Sequence, residues 1–253
     1  VNTEAIQVES GANSGVATIL VKQSTGERAV FFERSTATEP EFLEAHKQLI
    51  ESAYILHING RHRKLMRSAM AVAKEVGTII SLDGGAQRYD EDMKPITEAS
   101  HIVIVARDYA EKYTGTTNLE DACRIIHERG AFIAGVTDGA NGSYFVWPDG
   151  TSYRCEPFSQ ATVVDTTGAG DSFHGAFLYM LTKTLCKIAD GTNTSTMNET
   201  SQSLNAIDLL HSCAHEDLEK AATFASAVAA LNTQGIGGRS PLPSLEDIKA
   251  LIG

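Results

Sequence analysis

The segment Val163-Val-Asp-Thr-Thr-Gly-Ala-Gly-Asp-Ser-Phe-His-Gly-Ala-Phe177 sets one carboxylate directly behind a glycine-bearing turn. Its pattern predicts a short apolar strand ending at Val164, the turn, and a helix starting near Gly170. A helix N-terminus points unpaired amides outward and carries partial positive charge. Glycines let that backbone come close to an anion. Asp171 stands at the mouth of this site. A carboxylate there is repelled by the anion, so it is costly unless it acts. Its useful act is to take a proton from a hydroxyl that attacks phosphorus. Phe173, Phe177 and Leu181 recur at four-residue spacing and predict the face that anchors the helix. Gly175 and Ala176 leave room for a close neighbour.

Other residues with chemical potential follow the ends of expected strands: His57, Asp83, Arg107, Thr137 and Asp165. Strands are expected at Tyr54–Ile58, Thr78–Leu82, Ala99–Val105 and Phe132–Thr137, alternating with helices over Lys64–Val76 and Leu119–Arg129. This alternation predicts a mostly parallel, doubly wound α/β sheet, and the five residues should share its carboxyl rim. Gly15–Phe32 reads as a hairpin around Ser24–Glu27, and Pro40–Glu51 as a helix. A second hairpin joins Tyr144–Trp147 to Thr151–Arg154. Glu219–Leu231 reads as a small-residue helix. Ser244 and Asp247 predict a capping box on a final helix. Residues 187–216, rich in Thr, Ser and Asn, are expected to form a surface insertion. His211 and His215, four apart within it, have the spacing of a zinc pair, but no companion ligand is evident and a solvated helix turn is the expectation.

The 253 residues carry a net charge of −11 without a basic run, which argues against nucleic acid and anionic membranes as partners. No apolar stretch approaches a membrane span. Four scattered cysteines without a C-x-x-C pair fit a reducing, cytoplasmic compartment.

The Asp165–Asp171 segment closely resembles the D-T-x-G-A-G-D signature of the ribokinase (PfkB) family of carbohydrate kinases. The resemblance extends through the small-residue helix, the Gly235-Ile-Gly-Gly238 loop and the Pro-initiated end helix. It implies a ribokinase-like sheet flanked by helices, with residues 14–34 as part of a small β lid that often builds a homodimer. It further implies ATP-dependent transfer to a hydroxyl of a small sugar. Asp171 would be the catalytic base, and the amides of Gly168, Ala169, Gly170 and Asp171 the anion hole. Thr137, Gly139 and Gly142, in the family's T-x-G-x-x-G pattern, would line the nucleotide, with Ser226 near the adenine and Arg107 near a phosphate. Asp165 and the Thr167 carbonyl would hold a monovalent cation, usually K+.

Two family features are missing. The opening strand with a substrate-binding Asp and its Gly-Gly partner are not found, so the chain matches as a single domain without that N-terminal unit. The N-x-x-E segment that organises Mg2+ reads Ala106 and Tyr109 at its two positions, leaving Mg2+ to ATP oxygens and water, with Asp83 as a candidate ligand. His57-Ile-Asn-Gly-Arg61 resembles ketohexokinase-like members and favours a ketose. The alternatives are a nucleoside acceptor on the same fold, or a nucleotide-binding pseudokinase. A dinucleotide-binding oxidoreductase fails on the third glycine of its fingerprint, since Phe173 stands where it is required. Neither a P-loop nor a G-x-S-x-G hydrolase motif is present.

Overall fold

A computed structural model of the chain describes residues 2–21, 28–159, 163–193, 205–239 and 242–253. Strands β1 (Val16–Val21) and β2 (Arg28–Glu33) form a two-stranded antiparallel sheet, with Val16 opposite Glu33. The turn expected at Ser24–Glu27 lies outside the described residues. Helix α1 (Glu44–Glu51) follows, then β3 (Ile55–Ile58), α2 (Arg63–Val76), β4 (Ile79–Gly84), α3 (Lys94–Glu98) and β5 (Ile102–Ala106). Next come α4 (Arg107–Thr114), α5 (Leu119–Glu128), β6 (Ile133–Thr137), β7 (Ser143–Val146) and β8 (Ser152–Cys155). The chain ends with α6 (Ala169–Asn193), α7 (Ala206–His211), α8 (His215–Asn232) and α9 (Leu245–Ile252).

The main sheet has six strands in the order β3-β4-β5-β6-β7-β8. β3 to β6 run parallel, whereas β6–β7 and β7–β8 pair antiparallel. Both faces are covered, because successive strand side chains point to opposite sides. Ile80, Leu82, Val103, Val105, Ala134 and Val136 meet the crossover helices α2, α4 and α5 on one face. Ile79, Ile102, Ile104, Ile133, Phe145 and Trp147 meet α6, α7 and α8 on the other. Helix α6 is anchored as its spacing predicts. Phe173, Phe177 and Leu181 are 5%, 0% and 1% exposed. Full burial of each such side chain stabilises by about 1.5–3 kcal/mol. Gly175 meets no neighbour, so the close approach expected there is not made.

Several boundaries differ from the sequence reading. The first helix starts at Glu44 rather than Pro40, because the His46 ring turns back to accept the amide of Leu43 and fixes the start there. Val163–Val164 is not a strand. It has no strand neighbour to pair with, and the amides of Val164 and Asp165 instead bond to the carbonyl of Thr233 at the end of α8. Asp165 therefore reaches the site from an irregular segment. Within the expected insertion, α6 continues to Asn193 and α7 buries Leu209 and Leu210; residues 194–204 lie outside the described set. His211 ends α7 and His215 begins α8, so the pair does not share one helical turn. Among the described residues no three His, Cys, Asp or Glu side chains form a metal-binding group, and no helix is long and apolar enough to cross a membrane. The Ser244–Asp247 capping box is formed.

Candidate active site

Parallel pairing of β3 to β6 brings His57, Asp83 and Thr137 to one edge of the sheet, within the last residues of their strands. Adjacent strands lie about 4.8 Å apart, so this edge extends on the order of 15 Å from β3 to β6. The N-terminus of α6 lies across it. Phe173 stacks on Phe145 of β7, with ring centroids 6.4 Å apart, whereas His174 meets Asp83 of β4. One helical turn thus faces two different ends of the rim.

At the β6 end is a cavity of about 480 Å3, within the usual range for a small-molecule site. Thr137, Gly139, Gly142, Ala169, Gly170 and Ser226 line it, uniting residues 89 positions apart. Pro157, Phe158, Val163, Ala229 and Ala230 give it apolar walls suited to a flat base. The Ser226 hydroxyl donates to the Glu156 carbonyl at 3.3 Å, so its hydrogen goes to the backbone rather than the cavity. Arg107, expected near a phosphate, is engaged in ion pairs. It holds Glu111 and Asp138, each at 2.8 Å, and Asn141 also donates to Asp138. These partners raise its already high pKa further.

The turn before α6 is fixed by its own backbone. Gly168 has φ +79°, and a Cβ there would lie 2.5 Å from the Cα of Gly238. Only glycine meets both demands. Asp165 joins this turn to the Gly235–Gly238 loop: one carboxylate oxygen accepts the Thr167 amide at 2.9 Å and the other the Gly237 amide at 3.0 Å. The buried Thr167 hydroxyl has no hydrogen-bond partner among the described residues. The half-buried Asp165 carboxylate and the buried Thr167 hydroxyl, beside a glycine loop, are oxygen groups of the kind that suit a hard cation. The helix begins at Ala169, one residue earlier than expected. The Ala169 amide turns back to Thr166 at 3.3 Å. Those of Gly168, Gly170 and Asp171 find no acceptor among the described residues. They are the orphan donors that an anion would satisfy. Asp171 is exposed, and its carboxylate has no hydrogen-bond partner among the described residues.

The β3–β4 end is charged and ion-paired. Asp83 is 7% exposed; its carboxylate lies 3.3 Å from Nε2 of His174 and 3.8 Å from Arg88. Burial alone would raise its pKa, but the hydrogen bond and charge of His174, then Arg88, hold it below the ordinary carboxylate value. Arg88 also donates to the Asn59 carbonyl at 3.3 Å, bridging the loops after β4 and β3. His57 rests on Ser81 at 3.3 Å, and its ring centroid lies 5.6 Å from that of His174. Desolvation, then His174, push the His57 pKa down, while Asp83 and Asp171 oppose this. Asp171 is therefore within electrostatic reach of His57. His174 was not singled out by sequence reading, although its place three residues after Asp171 puts both on one helix face.

The fold is of the ribokinase-like class, and its rim brings together an apolar cavity, an amide-lined turn and a carboxylate that has no hydrogen-bond partner among the described residues. A family model described as pfkB family carbohydrate kinase matches residues 1–245, and the chain belongs to that family. It is an ATP-dependent carbohydrate kinase and uses a metal ion with its nucleotide. Among curated proteins it is 27% identical to Probable fructokinase-5 of Arabidopsis thaliana, over 100% of this chain and 75% of that one. Among solved structures it superimposes on ribokinase from Giardia lamblia with a TM-score of 0.74 at 18% identity, covering 96% of this chain and 73% of that one. A Vibrio cholerae O395 fructokinase double mutant, solved with fructose, ADP and potassium ion, gives a TM-score of 0.64 at 19% identity, covering 94% and 73%.

Proposed function

We propose that the protein transfers the γ-phosphoryl group of ATP to a hydroxyl of a ketohexose, fructose being the first candidate, with Asp171 as the base. The observation that carries this reading is the Asp171 carboxylate, without a hydrogen-bond partner among the described residues, set beside amides that find no acceptor among them and between the apolar cavity and the charged cluster. The cavity takes the adenine and ribose, and Thr137, Gly139 and Gly142 border the phosphates. Arg107 joins them only by giving up Glu111 or Asp138. The acceptor hydroxyl lies on the β3–β4 side. Asp171 accepts its proton as oxygen attacks phosphorus, and the Gly168, Gly170 and Asp171 amides neutralise charge that grows on the phosphoryl oxygens.

Asp165 and Thr167 would hold K+, as the oxygen chemistry and the potassium-bound fructokinase support. Mg2+ would bring charge neutralisation to the triphosphate and be held by ATP oxygens and water; Asp83, already paired with His174 and Arg88, is better suited to the acceptor side. The β1–β2 hairpin exposes Val16, Leu20, Phe31 and Phe32, a surface suited to a homodimer, and the working compartment is the cytoplasm.

Asp171→Asn should lower kcat by about 10²–10⁴-fold, the range general-base removal gives, with ATP affinity near that of the unaltered protein. Steady-state rates on a sugar panel and nucleotide titration measure both. Undiminished turnover in this variant would remove Asp171 from the role.

A further inference from the structure

We propose that His174 and Asp83 form a positioning pair that holds the first turn of α6, and with it Asp171, against the acceptor end of β4. The inference rests on Asp171 being the base and adds a role that the signature motif does not contain. Four observations converge on it.

On β4, Ile79, Ser81 and Asp83 alternate onto the face that α6 covers, while Ile80 and Leu82 face the opposite core. That face therefore changes from apolar to acidic as it nears the carboxyl rim. On α6, Asp171 and His174 are three residues apart and share one face. Asp171 is exposed, but His174 is only 5% exposed, and its Nε2 lies 3.3 Å from an oxygen of Asp83. Nδ1 of His174 is buried without a hydrogen-bond partner among the described residues. Packing alone would favour an apolar side chain here, since an unpaired buried nitrogen is costly. What distinguishes the imidazole is the 3.3 Å contact of its Nε2 with Asp83 of β4.

The ring is also fixed from the side. His57, placed opposite Ser81 in the β3–β4 register, packs against it with ring centroids 5.6 Å apart. Arg88 completes the cluster by holding both Asp83 and the loop after β3. The base is thereby tied to the strands flanking the acceptor hydroxyl rather than to the nucleotide cavity. Small displacements of a reacting group cost large factors in rate, so a tie of this kind acts on kcat.

The test uses the purified protein with ATP and with fructose or ribose, whichever gives the higher unaltered rate. His174→Phe keeps the ring but loses the donor; it should lower kcat by about tenfold or more, with the ATP KM within about twofold. His174→Gln places an amide donor near the Nε2 position and should restore most of that loss. His174→Asn is too short to reach Asp83 and should behave like the Phe variant, which preserves the contrast if Phe does not fold. Pairing each with Asp83→Asn should give losses well short of additive. Equal rates for Gln and Asn, undiminished kcat in the Phe variant, or full additivity would overturn the pair. Asp171→Asn, measured alongside, separates the readings: if it keeps turnover the base assignment falls, whatever position 174 does.

Discussion

The two ends of the rim are built from different materials. The end proposed to take the nucleotide is largely backbone: glycines, orphan amides, and apolar walls from Pro157, Phe158, Ala229 and Ala230. The end proposed for the acceptor is a knot of side chains, His57, Asp83, Arg88 and His174, drawn from β3, β4, the loop after β4 and α6. Backbone sites tolerate change in surrounding side chains, because the amides remain. Side-chain knots change with every substitution. A donor common to many kinases suits the first kind of site, and an acceptor that differs among relatives suits the second.

The sharpest way to break this contrast after Asp171 is Gly168→Ala. A methyl group would enter a left-handed backbone position and collide with Gly238, shifting the amides against the phosphoryl group. Loss of one such donor costs about 10²–10³-fold in kcat, and a comparable loss is expected here. Full kcat in the Gly168→Ala enzyme would show that the amides do not carry the charge.

A smaller and paired effect tests the separation of the two ends. Ala229→Phe, filling the cavity wall, should raise the ATP KM about tenfold and leave the sugar KM nearly unchanged; each methylene-sized misfit is worth about 1–3 kcal/mol. Arg88→Ala should do the reverse. Crossed effects in initial-rate measurements would erase the distinction between donor and acceptor ends.

The smallest effect concerns the scaffold below both ends. Burial, then the charge of His211, hold the His101 pKa below its ordinary value, and its Nδ1 accepts the Ile80 amide at 2.9 Å. Protonation destroys that acceptor. The unfolded chain therefore binds the proton more readily, so stability is fully present above the ordinary histidine range near 6.5 and falls as pH drops through it toward the folded value. Thermal midpoints measured from pH 7.5 to 5.5 should decline. His101→Asn, which keeps an acceptor and does not titrate, should flatten part of the slope; an unchanged slope would remove His101 as a cause.

Much of the cavity end of the rim was legible from sequence because its parts are local. The turn from Asp165 to Asp171 is contiguous, and its glycines state their own backbone geometry. Thr137–Gly142 likewise carries both the turn and the cavity edge in six residues. Val163–Val164 misled because two β-branched residues suggest a strand, yet strand formation depends on a neighbour, and the neighbour here is the end of α8. Arg107 was placed at the correct rim, but its Asp138 partner is 31 positions away and no spacing rule joins them.

By itself the sequence determined the parallel scaffold, the amide-lined turn and the position of the carboxylate beside it, since hydrophobic period, glycine placement and helix-start chemistry act over a few residues. Only the tertiary structure decided which charges neutralise one another. It set His174 on Asp83, 91 positions away, and His57 beside both. Such pairings are chosen by the crossing of a helix over a sheet edge, which no local interaction encodes.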